Sequence, residues 1–318
     1  MKRIAAALLL VAAALGGFLS FVAPPRQLDL LNRLWPGDGG ARAVARDIAY
    51  GAKPRRMLDV YDDPEVAAPA GGKPVLVFFY GGGWHKGDKD HYGFAAKAYA
   101  AKGFLVVLPD YRLVPAVRFP TFVEDSAAAV AWTYRNAPRF GGDSDRIVTA
   151  GHSAGAYNAV MVALDRHWLA DQRLPGNVVK AAAGLSGPYD FYPFDKRNSI
   201  RAMGQYPDPL ATQPIRFARA DAPPLWLGHG TADTTVRVRN SRNLARAVLA
   251  VGGPVTLREY PGASHNDLIM AVSRVFSARL PVLDESSAFL IANSRPPASA
   301  VEVGPQHHRD PDGAERPD

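Results

Sequence analysis

The pentapeptide Gly151-His152-Ser153-Ala154-Gly155 constrains this chain more than any other stretch. It follows the apolar run Arg146-Ile147-Val148-Thr149-Ala150, which reads as a short buried strand, and it opens a helical pattern at Ser153. A G-x-S-x-G turn between strand and helix holds its serine in a strained conformation, with the hydroxyl projecting from the tip. The two glycines let helix and strand approach closely. Ser153 is therefore a candidate nucleophile, and an α/β architecture is required around it. A pentapeptide of small residues also arises by chance, so the rest of the chain has to agree.

It does so in order. Upstream, the apolar strand Pro74 to Phe79 runs into Tyr80-Gly81-Gly82-Gly83-Trp84. Glycines after a strand leave backbone N–H groups unobstructed, and such groups can cradle an oxyanion. A phosphate loop would need G-x-x-x-x-G-K-[ST], and Lys86 comes too early for that spacing. Downstream, the strand Pro224 to Gly228 leads through His229 to Asp233, and the strand Val255 to Tyr260 leads to His265. The order Ser153, Asp233, His265 is the one an α/β-hydrolase triad follows. Each residue falls on a loop leaving a strand, the edge at which open α/β sheets place their ligands.

Apolar strands are read near 43–50, 55–61, 74–80, 103–109, 146–151, 178–185, 224–229 and 254–260. Helices are read near 90–102, 121–137, 153–165 and 237–251. From the third strand on, this alternation implies an eight-stranded, mostly parallel sheet with helices on both faces. Continuous apolar runs such as Phe104 to Leu108 suit strands buried on both faces. With 318 residues, 47% of them hydrophobic, one large domain is permitted.

On these motifs the chain resembles α/β-hydrolase esterases, in the branch of hormone-sensitive-lipase-like, prenylcysteine-methylesterase-like and arylformamidase-like enzymes. Pro109-Asp110-Tyr111-Arg112-Leu113, Phe119-Pro120 with Glu124-Asp125 and Trp132, and Gly142 to Ile147 carry the resemblance further, over roughly residues 43–294. It implies a serine carboxylesterase for small to medium acyl esters, with Ser153 as nucleophile, His265 as base and Asp233 as its orienting acid. The amides of Gly82, Gly83 and Ala154 would form the oxyanion hole, Trp84 and Tyr80 would contact substrate, and no cofactor is implied. The family usually has His where Tyr80 stands, so loop anchoring and substrate preference are where this chain departs. An amide hydrolase with the same three residues, or a non-catalytic binding module on the same fold, are the alternatives. A small cap or aromatic rim is expected over 186–222, around Tyr189, Phe191, Tyr192, Phe194 and Tyr206.

Other residues are assigned supporting roles. The resemblance places Asp110 and Asp125 beneath the site as structural carboxylates. His152 is expected behind the nucleophile and His85 packed on its loop. His229 lies too early in the fold's chain order to be the base, and Asp267 is too close to His265 to orient its ring. No His pair or His/Asp/Glu cluster has metal-ligand spacing. The net charge of +7 comes from scattered residues, without the basic–aromatic stripe of a nucleic-acid surface. There is no cysteine, hence no disulfide or thiol nucleophile. Ahead of this domain, Lys2 and Arg3 precede an uncharged segment up to Ala23, read as a secretory signal or membrane anchor that carries the domain across the cytoplasmic membrane. Residues 24–42 are read as a linker, and 295–318 as a disordered tail in which His307 and His308 have no site role.

Overall fold

The computed structural model describes residues 24–34 and 39–295. The leader and the tail named above lie outside the described residues. Among the described residues no helix is long and apolar enough to cross a membrane. All eight expected strands are present: β1 (Arg42–Ala49), β2 (Met57–Asp62), β3 (Lys73–Phe79), β4 (Leu105–Pro109), β5 (Gly142–His152), β6 (Val179–Leu185), β7 (Leu225–Gly230) and β8 (Val255–Tyr260). They form one sheet in the order β1-β2-β4-β3-β5-β6-β7-β8. The β1–β2 and β2–β4 pairs are antiparallel and every later pair is parallel.

Burial explains the sequence of the central strands. Every residue of β3 and β4 is buried, so no polar face is needed and the runs are apolar throughout. The polar exception, Lys73, reaches the edge of its strand. There its ammonium donates to Asp62 Oδ1 at 2.7 Å and to the Asp63 carbonyl at 2.6 Å.

The helices are α1 (Pro24–Leu34), α2 (Gly93–Ala100), α3 (Thr121–Asn136), α4 (Ala154–Leu164), α5 (His167–Asp171), α6 (Arg197–Met203), α7 (Arg239–Ala250), α8 (Asp267–Val272) and α9 (Val282–Ala292). Helices α3, α4 and α7 pack on one face of the sheet, and α2, α8 and α9 on the other. The four helices expected from sequence correspond to α2, α3, α4 and α7. Helix α4 is buried along its whole length, which fits its lack of any charged residue.

The expected linker over 24–42 is corrected in part, because α1 occupies its first eleven residues. Two prolines open it, where a helix has no use for their missing N–H groups. Leu28 is buried, and Asn32 accepts a hydrogen bond from Ser273 Oγ at 3.1 Å. The prolines mark a helix start.

The chain crosses from β3 to β4 on one side, then returns to β5 on the other side of β3. Loops diverge at such a switch point and leave a crevice at the carboxyl ends of the strands. The glycine loop follows β3 and Ser153 follows β5, so both open into that crevice. Phe79 and Gly151 are register partners at its base. The segment after β6, over which a small cap is expected, holds α6 and two single turns, Pro209–Thr212 and Pro214–Phe217. It is tied down by Asn240 Oδ1, which accepts from the amides of Tyr189 and Asp190 at 2.9 Å each, and by Gln213 Oε1, which accepts from Phe191 N at 2.8 Å.

Candidate active site

Ser153 has φ 56° and ψ −121°, a left-handed conformation unfavourable for any residue with a side chain. Packing on both sides imposes it. A Cβ at Gly155 would collide with the Phe79 and Tyr80 carbonyls, and one at Gly151 with the Gly155 backbone. The Ser153 amide donates to the Leu185 carbonyl at 2.8 Å, which locks the turn to β6. The result points the hydroxyl out of the sheet edge, at the N-terminal end of α4.

The structure brings Ser153, His265 and Asp233 together from the loops after β5, β8 and β7. His265 Nε2 lies 2.9 Å from Ser153 Oγ, and His265 Nδ1 lies 2.7 Å from Asp233 Oδ2. The carboxylate can only accept, so Nδ1 carries a proton and Nε2 is left to accept from the serine hydroxyl. Asp233 Oδ1 accepts from the amides of Thr235 and Val236 at 2.9 and 2.8 Å. Burial pushes the Asp233 carboxyl up, but hydrogen bonds from His229 and His265 and the charge of His265 outweigh it and hold the group well below the usual range. It stays ionised beside the ring. Such an arrangement can pass the serine proton to the imidazole while the carboxylate stabilises the imidazolium.

Two further histidines support this chain. His229 is fully buried; its Nε2 lies 2.8 Å from the Val236 carbonyl and 3.3 Å from Asp233 Oδ2, and its Nδ1 2.8 Å from Ser241 Oγ. It sits behind the carboxylate and not against the serine. His152 packs its ring 4.8 Å from that of His265 and places Nε2 3.0 Å from the His265 carbonyl. Burial, then the neighbouring His265, push its pKa down to about 3, so it is neutral and donates through Nε2. Asp267 is turned away from His265, accepting from Ser264 N and Oγ at 2.7 Å each.

Ser153, Ala154, Gly83 and Trp84 line one cavity of about 360 Å³. The Gly81 amide is taken by Tyr92 Oη at 3.3 Å. Among the described residues, no hydrogen bond engages the amides of Gly82 and Gly83. Trp84 is fixed by its Nε1 donating to Asn158 Oδ1 at 3.2 Å and by edge contact with Tyr157 at 5.2 Å.

Tyr80 is the residue that departs from expectation. It is not among the residues that line the cavity, where a substrate contact is expected of it. It is fully buried and stacked on Tyr111 at 4.6 Å, and its hydroxyl accepts from Arg55 Nη2 at 2.9 Å. The same guanidinium nitrogen donates to the Gly87 carbonyl at 2.9 Å and to Asp110 Oδ1 at 3.2 Å. Tyr80 therefore anchors the glycine loop from beneath. Burial also pushes the Asp110 carboxyl up to about 6. Asp125, likewise structural, accepts from Arg56 and Arg112. His85 is exposed on its loop, its Nδ1 3.2 Å from the Gly83 carbonyl.

Sequence reasoning missed much of the lining of the cavity. Phe191, Lys196, Asn198, Val236, Arg237 and Arg239 line it. They come from the cap, from the stretch between Asp233 and α7 and from the first residue of α7, and only the aromatic content of the cap hinted at one of them. Among the described residues no group of three His, Cys, Asp or Glu side chains could hold a metal ion.

Comparison with known proteins agrees with this architecture. The BD-FAE family model matches residues 58–248. Esterase LipC of Mycobacterium tuberculosis is 32% identical over 69% of this chain and 59% of its own length. Isoprenylcysteine alpha-carbonyl methylesterase ICME of Arabidopsis thaliana is 31% identical over 72% of this chain and 58% of its own. The chain thus spans under three fifths of the length of these relatives. Among solved structures, esterase 2 of Thermogutta terrifontis superposes with a TM-score of 0.64 at 25% identity, over 81% of this chain and 96% of that one. A carbohydrate esterase from gut microbiota reaches 0.70 at 18% identity, covering 81% and 99%, a likeness of fold. By its matched segment and its sheet, this chain belongs to the BD-FAE family of α/β-hydrolase-fold proteins.

Proposed function

We propose that this protein is a serine carboxylester hydrolase acting on small to medium acyl esters. The observation that carries the reading is the hydrogen-bonded series Asp233–His265–Ser153, 2.7 and 2.9 Å, ending at a strained serine in an open cavity. The esterase names of the relatives support the same reading. Ser153 Oγ attacks the acyl carbonyl as His265 Nε2 takes its proton, and His265 then protonates the departing alkoxide. Water, deprotonated by the same ring, cleaves the acyl-enzyme. Asp233 holds the imidazole in the useful tautomer. The amides of Gly82, Gly83 and Ala154 would stabilise the oxyanion. The Ala154 amide, first in its helix, has no intrahelical acceptor.

Acyl preference follows from the cavity. Trp84, Phe191 and Val236 give it an apolar wall, and each methylene buried there gains about 0.8 kcal/mol until the wall ends. The cap has only short helices, so a chain of roughly two to eight carbons is the proposed optimum, with no activation at a lipid surface.

The test is a panel of matched chromogenic esters and amides of graded acyl length. Ester turnover is expected to rise and then plateau early. Ser153→Ala is expected to remove it by several orders of magnitude with Tm nearly unchanged. Asp233→Asn is expected to lower kcat by about 10⁴, the size of the equivalent change in another serine hydrolase, with Asp267→Asn mild. Faster turnover of the amides would favour an amide hydrolase. Near-wild-type turnover by Ser153→Ala would sink the assignment.

A further inference from the structure

The cavity that holds Ser153 is lined by both apolar and cationic side chains. Lys196, Arg237 and Arg239 line it, with Asp195 as its one acidic residue. Arg237 Nη2 lies 3.9 Å from Asp195 Oδ2, a loose pair with both side chains more than half exposed. Among the described residues, the side chains of Lys196 and Arg239 have neither an ion pair nor a hydrogen bond. Positive charge therefore exceeds negative at the rim, and the fold does not consume it.

Nor does local structure account for these residues. Arg239 is the first residue of α7, whose opening turn has no acidic residue. A helix favours anions at its N-terminus and disfavours cations there, so Arg239 stands against the preference of its own helix. Lys196, immediately before α6, does the same. Several arginines elsewhere are partnered, Arg56 and Arg112 on Asp125, Arg242 on Glu259, Arg166 and Arg219 on Asp221, whereas among the described residues Arg173, Arg197, Arg216 and Arg274 have no side-chain hydrogen bond or ion pair. What sets Lys196, Arg237 and Arg239 apart is that all three line the cavity that contains the serine.

We infer that this cavity selects esters carrying a carboxylate beyond the scissile bond, held by Arg239, Arg237 and Lys196 while the apolar body lies against Trp84 and Phe191. The inference rests on the ester hydrolase reading for its chemistry but not for its test. Guanidinium groups suit the task, since they bind carboxylates through paired N–H donors. The charges are exposed, so the attraction is screened by salt.

The experiment compares 4-(butanoyloxy)benzoic acid with phenyl butyrate, the same ester without the carboxylate. Binding is measured calorimetrically to full-length Ser153→Ala protein, which removes turnover from the readout. The anionic ester is expected to bind about tenfold more tightly in low salt, with the difference shrinking toward unity in 0.5 M NaCl. In Ser153→Ala with Arg237→Ala and Arg239→Ala, the preference is expected to fall by most of its size, Lys196 alone remaining, while phenyl butyrate binds as before. With Ser153 restored, the ratio of kcat/KM for the two esters should move by the same factor between parent and double variant, because intrinsic reactivity cancels. Equal binding of the two esters, or a preference untouched by the double substitution, overturns the inference. A binding preference without any turnover would keep it and sink the hydrolase reading.

Discussion

Single residues around His265 make the site sensitive to acid in a way that Ser153 alone would not. His152 titrates near pH 6.5 when unfolded and only at about 3 when folded. Across that window the unfolded chain binds the extra proton, so stability falls as pH falls, by at most about 1.4 kcal/mol per unit. Asp233 acts lower down: its folded pKa is depressed, so the stability it adds is present above the unfolded carboxylate value and lost only below it. Between pH 6.5 and 4.5 the raised carboxyl of Asp110 works in the opposite direction, so urea unfolding isolates His152 only as the difference between the wild type and a variant at that residue. His152→Gln keeps an N–H donor for the His265 carbonyl without a titrating ring, and a shallower slope of stability against pH is expected for it. Identical slopes would refute the assignment. In sequence, Ser153, Asp233 and His265 were legible because each sits just past a strand. The place of Tyr80 was not. Its side-chain direction is set by Arg55 and Tyr111, partners 25 and 31 residues away.

Among the elements, the contact of β3, β5 and α4 is the tightest constraint in the fold. Gly155 lies where α4 meets the end of β3, and a Cβ there would run into the carbonyls of Phe79 and Tyr80. Backbone cannot swing aside as a side chain can, so Gly155→Ala is expected to destabilise by about 3 kcal/mol or more. Chemical denaturation measures this. A loss under 1 kcal/mol would show that helix and strand can separate cheaply. Strands and the four long amphipathic or buried helices were legible because their periodicity is set by the sheet they cover. Helices α8 and α9 were not, since among the described residues no further strand follows β8 to frame them in a strand–helix alternation. The prolines at 24 and 25 likewise punctuate a helix or a linker equally well until Leu28 finds its cover.

At the scale of the whole molecule, the site is assembled from both halves of the sheet, and its halves are unequally secured. Ser153 belongs to β5, paired on both sides by β3 and β6. His265 follows β8, an edge strand held by β7 alone and only partly buried. Local opening starts where protected hydrogen bonds are fewest, so β8 should loosen before the central strands on heating. Ester hydrolysis is expected to fade at temperatures below the midpoint seen by far-ultraviolet circular dichroism, and to return on cooling from that range. Coincident loss of both signals would show that β8 melts with the rest. The same geometry sets a clock on synthesis. The hydroxyl and its base lie 112 residues apart in the chain, with the acid between them. A growing polypeptide can fold its elbow early and still be chemically silent. Competence arrives only when the last strand of the sheet has been made and has docked, so on the proposed mechanism the first turnover marks a finished molecule.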